Sequence, residues 1–308
     1  MREAHIGDIL LKKTVLKKSD KILLAALAVV MAVSVFVIIY FIVIGLGGGK
    51  KPAESTGGHT ETEHTTEGQP GSSTEDTRPP QTPDKVIALT FDDGPSLSVT
   101  PKILDLLEKY DAKATFFTVG YNLTSSKTEL LRRAISMGCE IGNHSADHPS
   151  SLKNLSDEEI LRQITEVNEK LSELCGTTPT LMRPPSGSIN RHILEVLYEG
   201  GVRMYPILWN ADSRDWEFNK RYLDGEISRE EAIEGAVDLV LSEASDGGII
   251  LMHDIKEITP DVLERVLEEL SAEGYTFVTV SELFDFESMG EDAYFSKFFS
   301  SYNVVPVE

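Results

Sequence analysis

From Lys85 onward, short apolar runs alternate with amphipathic stretches. VIALTF (86–91), ATFFTV (114–119), EIGNH (140–144), TLMR (180–183), VRMYPILW (202–209), GIILMH (248–253) and YTFVTV (275–280) are brief and rich in β-branched or aromatic residues. Such runs read as buried strands. Helical patterns lie between them. Thr100-Pro101 opens one, with Ile103, Leu104, Leu106 and Leu107 on a stripe. Ser156 to Glu159 has capping-box spacing ahead of Ile160, Ile164, Val167 and Leu171. Ser228 to Glu231 repeats that spacing, and Thr259-Pro260 repeats the cap-plus-proline start of Thr100-Pro101. The alternation predicts a parallel α/β sheet, and seven strands suit either a barrel or a doubly wound sheet.

The reactive residues decide between the two. Asp92 and Asp93 follow the first predicted strand, His144 and His148 the third, and Arg183 the fourth. Asp212 to Trp216 follow the fifth, and His253-Asp254 the sixth. A doubly wound sheet concentrates its site at one switch point. Five strand ends converge only in a closed or nearly closed arrangement, so a barrel is predicted.

The first 84 residues differ in kind. Ile22 to Leu46 is a 25-residue run without a charge, long enough to span a bilayer with some tilt. Arg2, Lys12, Lys13, Lys17, Lys18 and Lys21 precede it, so residues 1–21 are expected in the cytoplasm and the remainder outside. The run exceeds a signal-peptide core and no clear A-x-A site follows it, which predicts an uncleaved single-pass anchor in the cell membrane. Residues 47–84, mostly Gly, Ser, Thr, Glu and Pro, read as a disordered tether with an r.m.s. span of roughly 35 Å. The expected organisation is therefore 1–21, an anchor at 22–46, a linker at 47–84, a catalytic domain at 85–286 and a tail at 287–308. Tyr294, Phe295, Phe298, Phe299 and Tyr302 suggest that the tail packs on the barrel.

Composition narrows the partners. The chain has 308 residues, 41% hydrophobic and 26% charged, with a net charge of −21. Nearly all of the imbalance falls on residues 85–308, with 20 basic and 40 acidic side chains. A domain this acidic repels phosphate backbones, so no nucleic-acid partner is expected. No GxGxxG or GxxxxGK[ST] opens a helix, so no nucleotide cofactor is expected either. Cys139 and Cys175 are too few for a disulfide scaffold or a zinc ribbon; pairing and two buried thiols both remain open.

Each cluster has its own chemistry. In TFDDGP (90–95) two carboxylates leave a strand into a turn, and neighbouring side chains there point different ways. One can bind a metal while the other faces the open coordination position. HSADH (144–148) spaces two histidines by four, suited to a single helical turn that Pro149 ends. Two His and one Asp make a three-ligand site with an open position, as in hydrolytic zinc centres. Non-haem iron oxygenases use the same set, but usually on a double-sheet β fold that this alternation contradicts. Arg183 can ion-pair an active-site carboxylate and hold it ionised. Pro184-Pro185 can aim the Ser186 N–H into the pocket as an oxyanion donor. Asp215 can hold His253 protonated as a general acid, and Trp216 can form a flat wall for a sugar face.

TFDDGP, HSADH, RPPSG, DSRDW and IILMHD together resemble the five ordered motifs of the polysaccharide deacetylase family, which remove N- or O-acetyl groups from glycans. The resemblance covers about 85–285. It implies a distorted, incomplete β/α barrel and one divalent metal, usually zinc or cobalt. It also implies Asp92 as general base, Asp93, His144 and His148 as metal ligands, Arg183 as the partner of the base, and His253 as the acid held by Asp215. The family often carries an aromatic residue where this chain has Ser186. The intact TFDDG resembles the glucosamine-directed branch more than the muramic-acid branch. With the expected anchor, this points to N-acetylglucosamine of peptidoglycan as substrate. O-acetyl groups of xylan or another secreted polysaccharide form the alternative reaction, and a catalytically silent wall-glycan-binding module the alternative class.

Overall fold

The computed structural model describes residues 85–299 and 304–307. The expected anchor and tether lie outside these residues. Among the described residues no helix is long and apolar enough to cross a membrane.

Eight parallel strands form the main sheet: β1 (Lys85–Asp92), β2 (Thr115–Thr118), β3 (Glu140–Asn143), β4 (Leu181–Met182), β5 (Tyr205–Pro206), β6 (Ala211–Asp212), β7 (Gly248–His253) and β8 (Tyr275–Val278). Seven run in the order β5-β4-β3-β2-β1-β7-β6. The eighth, β8, pairs with Lys85–Ala88, sharing the edge of β1 whose far half holds β2. Helices α1 (Thr100–Lys109), α2 (Ser125–Ser136), α3 (Asp157–Cys175), α4 (Arg191–Glu199), α5 (Asp215–Leu223), α6 (Arg229–Glu243) and α7 (Thr259–Ala272) fill the connections. Two single turns follow, α8 (Val280–Leu283) and α9 (Phe286–Met289), with a small antiparallel pair, β9 (Ser296–Phe298) and β10 (Val304–Pro306).

Chain length forces the sheet to curl. Only residues 207–210 separate β5 from β6, a reach of at most about 18 Å. Laid flat, the outer strands of a seven-strand path would stand about 29 Å apart. The two edges must therefore turn toward each other, closed by chain rather than by a ladder. This is the incomplete barrel expected from the sequence.

The alternation along β1 shows what each face holds. Ile87, Leu89 and Phe91 join Ile103, Leu104, Val262 and Val266 in the layer between sheet and helices. Ala88 faces inward with Phe117, Leu181 and Ile249. Phe284, Phe286 and Phe298 from the C-terminal segment complete that inner cluster, and Phe298 is fully buried. Tyr205 stacks on Phe286 and on Tyr294, with ring centroids 4.4 and 4.5 Å apart. Of the tail aromatics, Phe298 and Tyr294 thus pack into the barrel, while Tyr302 lies outside the described residues.

Three expectations need correction. The run 202–209 is strand only at Tyr205–Pro206; beyond it Ile207 bridges Phe298 and the Leu208 N–H donates to the Phe298 carbonyl. The C-terminal segment takes the hydrogen bonds that a longer β5 would have used, and the chain crosses to the unpredicted β6. Ser228–Glu231 closes a full capping box, but Ser156–Glu159 closes only its forward half, since the Glu159 carboxylate accepts from Arg162 and Gln163. Thr100 and Thr259 do not cap their helices. Their hydroxyls donate to buried carboxylates, Thr100 to Asp254 and Thr259 to Asp215, each at 2.6 Å. Cys139 is buried, Cys175 half-buried, and both are free thiols that burial pushes up in pKa.

Candidate active site

Strand register sets the heights. Asp92 is in register with His253 on β7 and with Phe117 on β2. Thr118 pairs with Asn143, the residue before His144, and Asn143 pairs with Met182, the residue before Arg183. Asp212 pairs with Leu251. The ladders therefore bring the predicted side chains to one end of the barrel. They line a cleft of about 440 Å³ that includes Asp92, Asp93, His144, His148, Ser186, Asp212, Trp216 and His253. The backbone there is unusual. Of six non-glycine residues with positive φ among the described residues, five lie in these loops: Asp93, Ser145, His148, Ser186 and Arg214. Such conformations persist where surrounding structure enforces them, and they gather at functional sites.

Asp93, His144 and His148 offer donor atoms that all lie within 4.8 Å of one another. Asp93 Oδ1 is 3.7 Å from His144 Nε2 and 3.5 Å from His148 Nε2. Donors bonded tetrahedrally at about 2.1 Å stand about 3.4 Å apart, so these residues fit a divalent cation. Tautomer agrees. His144 Nδ1 lies 2.7 Å from the Arg183 carbonyl, which can only accept, so Nδ1 carries the proton and Nε2 turns its lone pair to the cluster. Burial lowers the His144 pKa against the pull of Asp92 and Asp93, favouring the neutral ring. HSADH does not form the expected helical turn. Pro149 disfavours αR at residue 148, and Ser145 and His148 take left-handed backbone instead, leaving the imidazole centroids 4.9 Å apart. Asn122, in the 3-10 turn Gly120–Asn122, braces the cluster by donating to the Asp93 carbonyl at 2.7 Å.

Asp92 is buried beside the cluster. Arg183, fully buried, donates from Nη1 to Asp92 Oδ1 and to Thr90 Oγ1, each at 2.8 Å. Its other nitrogens donate to the Ile207 and Leu208 carbonyls, and its guanidinium lies 4.3 Å above the Phe117 ring. Burial lowers the pKa of Arg183 while Asp92 opposes the shift. With Oδ1 engaged, Asp92 Oδ2 is the oxygen nearer the cluster, 3.6 Å from His144 Nε2.

Beyond Asp92 in the ladder is the imidazole. His253 Nδ1 lies 2.6 Å from Asp215 Oδ1, and Asp215 Oδ2 accepts from the His253 N–H at 2.8 Å and from Thr259. Burial alone would lower the His253 pKa, but the charge and hydrogen bond of Asp215 outweigh it and raise the value to about 9. Burial alone would raise Asp215, yet the His253 charge and these hydrogen bonds hold it below the usual carboxylate range. Asp254 is different: burial pushes its carboxyl up to about 7, Oδ2 accepts from Thr100, and Oδ1 has no partner among the described residues. A Cβ on Gly94 would stand 2.1 Å from that carboxylate, so the DDG turn needs its glycine for close approach.

Ser186 sits in the 3-10 turn Pro185–Gly187 with φ 55°, and its N–H has no hydrogen-bond partner among the described residues. Trp216 is 45% exposed at the start of α5, where it can present a ring face. Sequence reasoning missed Trp209, Leu251 and Lys256 in the lining, and Asn122 behind Asp93. Trp209 packs on Gly187, giving an aromatic surface beside Ser186.

The fold and site together define a parallel β/α barrel with a three-donor cluster beside a carboxylate–guanidinium pair and a carboxylate–imidazole pair. Residues 80–205 match the family described as Polysaccharide deacetylase. A family 4 acetyl xylan esterase from Clostridium thermocellum, solved with cobalt, is 31% identical, with TM-score 0.61 over 70% of this chain and 99% of its own. The peptidoglycan-N-acetylglucosamine deacetylase PgdA of Listeria monocytogenes is 38% identical over 69% of this chain. The peptidoglycan-N-acetylmuramic acid deacetylase PdaC of Bacillus subtilis is 40% identical over 65%. The chain spans 42% and 38% of the lengths of these two relatives. The protein belongs to the polysaccharide deacetylase family.

Proposed function

We propose that this protein hydrolyses the acetamido group of N-acetylglucosamine residues in peptidoglycan. The observation that carries the reading is the register of Asp92 with His253, which brings a candidate base and a candidate acid together at one end of the cleft that also holds the three-donor cluster. A divalent cation, zinc or cobalt, held by Asp93, His144 and His148 would supply Lewis-acid polarisation of the acetyl carbonyl and an acidified water. Asp92 Oδ2 accepts the proton of the attacking water while Arg183 fixes Oδ1. The unpartnered Ser186 N–H donates to the developing oxyanion. His253 Nε2 delivers its proton to the departing amine, with Asp215 stabilising the charged ring. Trp216 and Trp209 flank the sugar. An anchor at 22–46 and a tether at 47–84 would hold the domain outside the membrane, facing the wall.

Relatives acting on glucosamine, muramic acid and xylan support the acetyl-releasing chemistry more narrowly than the glycan. Removal of O-acetyl groups from xylan is therefore the second reading. Acetate release from peptidoglycan, chitin oligomers and acetylated xylan, before and after chelation, tests both. Chelator-sensitive release is expected, fastest on peptidoglycan. Release from xylan alone supports the second reading, and binding without release from any glycan identifies a silent module.

A further inference from the structure

One cationic side chain of the cleft has no part in the reaction above. Lys256 is the only lysine or arginine among the described lining residues, which include Asp92, Asp93 and Asp212. Its backbone is pinned. The Lys256 N–H donates to the His253 carbonyl at 3.3 Å, and its own carbonyl accepts from the Thr259 N–H at 3.2 Å. Thr259 in turn donates to Asp215, so Lys256 stands on the turn that carries the imidazole and its partner.

The side chain is 25% exposed. The nearest carboxylate oxygen is Asp93 Oδ2 at 3.9 Å, beyond hydrogen-bond reach, while Oδ1 of the same residue faces the imidazoles. Four other lysines are taken up by acids: Lys109 and Lys170 each close on a glutamate at 2.8 Å, and Lys113 and Lys220 also hydrogen-bond to acids. The Lys256 ammonium thus has donors to offer a ligand. It does so in a domain where acidic side chains outnumber basic ones two to one, a field that repels acidic glycans. A partly desolvated ammonium beside the reacting position is the local group that reverses this repulsion.

We propose that Lys256 is a specificity-determining residue that binds a carboxylate carried by the glycan next to the sugar being deacetylated. The preferred substrate class is then a carboxylate-bearing amino-sugar polymer rather than a neutral one. The proposal rests on the deacetylase reading and narrows it.

The test uses the full chain and one oligosaccharide in two forms: peptidoglycan strands with free stem carboxylates, and the same strands with those carboxylates amidated. Acetate release gives kcat and KM, calorimetry gives binding, and bound metal is measured in parallel. The wild type is expected to favour the free-carboxylate form about tenfold, through KM, as for one charge-assisted hydrogen bond. Lys256→Met should bring that ratio close to one with metal content retained, Lys256→Glu should invert it, and added salt should compress it in the wild type. An equal ratio in the wild type and Lys256→Met overturns the proposal. So does loss of metal with equal losses on both forms, which makes Lys256 a brace for Asp93. If the wild type releases no acetate, the deacetylase reading falls, while the binding ratio still decides the role of Lys256.

Discussion

Asp92 and Asp93 are adjacent in sequence and opposite in surroundings. Asp92 is buried with one oxygen against Arg183, whereas Asp93 takes a left-handed backbone and aims Oδ1 at two imidazoles. The two should fail differently. Asp93→Ala should weaken metal binding and activity together, as His144→Ala and His148→Ala should, with partial recovery in excess zinc or cobalt. Asp92→Asn should keep near-normal metal content and lower kcat by roughly 10²–10⁴-fold, the usual cost of losing a positioned base. Bound metal measured beside acetate release separates them, and the reverse pattern would exchange their roles. Both carboxylates were legible from the sequence because a DD pair at a strand end is a local signal. Lys256 and Asn122 were not, since what singles them out is a neighbour supplied by the fold.

At the scale of elements, the site depends on helix starts clamped to strand ends. The Thr259 hydroxyl at the head of α7 and the His253 N–H at the end of β7 converge on Asp215, the first residue of α5. Sequence pattern alone predicts that Thr-Pro caps its helix; a buried carboxylate nearby outcompetes that local bond. The tiny β6 escaped notice because two residues carry no period, and β5 was overextended because its apolar neighbours bury against Phe298 rather than in a ladder. The clamp has a titration consequence. The pKa of His253 is raised above the ordinary 6.5, so the stability it contributes is complete below about pH 6.5 and is lost as pH rises through about 9. In metal-free protein the imidazole should titrate near 9 by NMR. Asp215→Asn removes the strongest counterweight to burial, leaving the weaker pull of Asp92 and Asp93, and should move that titration, and the alkaline limb of activity, to lower pH. An unmoved limb removes Asp215 from the role.

For the whole molecule, the inner cluster belongs to distant segments at once. Ala88 of β1, Ile249 of β7 and Phe298 of β9 meet inside the barrel. The sequence suggested that the aromatic tail packs, but not that its rings enter the barrel, because no local pattern distinguishes a plug from a surface strap. Phe298→Ala should cost about 3–5 kcal/mol in chemical denaturation, the range for a fully buried aromatic. It should also loosen Leu208, whose N–H donates to the Phe298 carbonyl and whose own carbonyl accepts from Arg183. A surface-sized loss would mean that the barrel collapses around the gap.

Asp92 and His253 face each other across one rung of a hydrogen-bonded ladder, with Cα atoms in register. Their spacing is inherited from the separation of paired strands, about 4.8 Å, which is among the least deformable dimensions of a folded chain. The proposed base and acid therefore need no loop to keep them apart. Rim side chains such as Trp209, Trp216 and Lys256 can be exchanged without altering that gauge. On the proposed mechanism such an arrangement separates two kinds of heritable change: drift at the rim would retune which polymer is gripped, while the acid–base gap would stay constant beneath it.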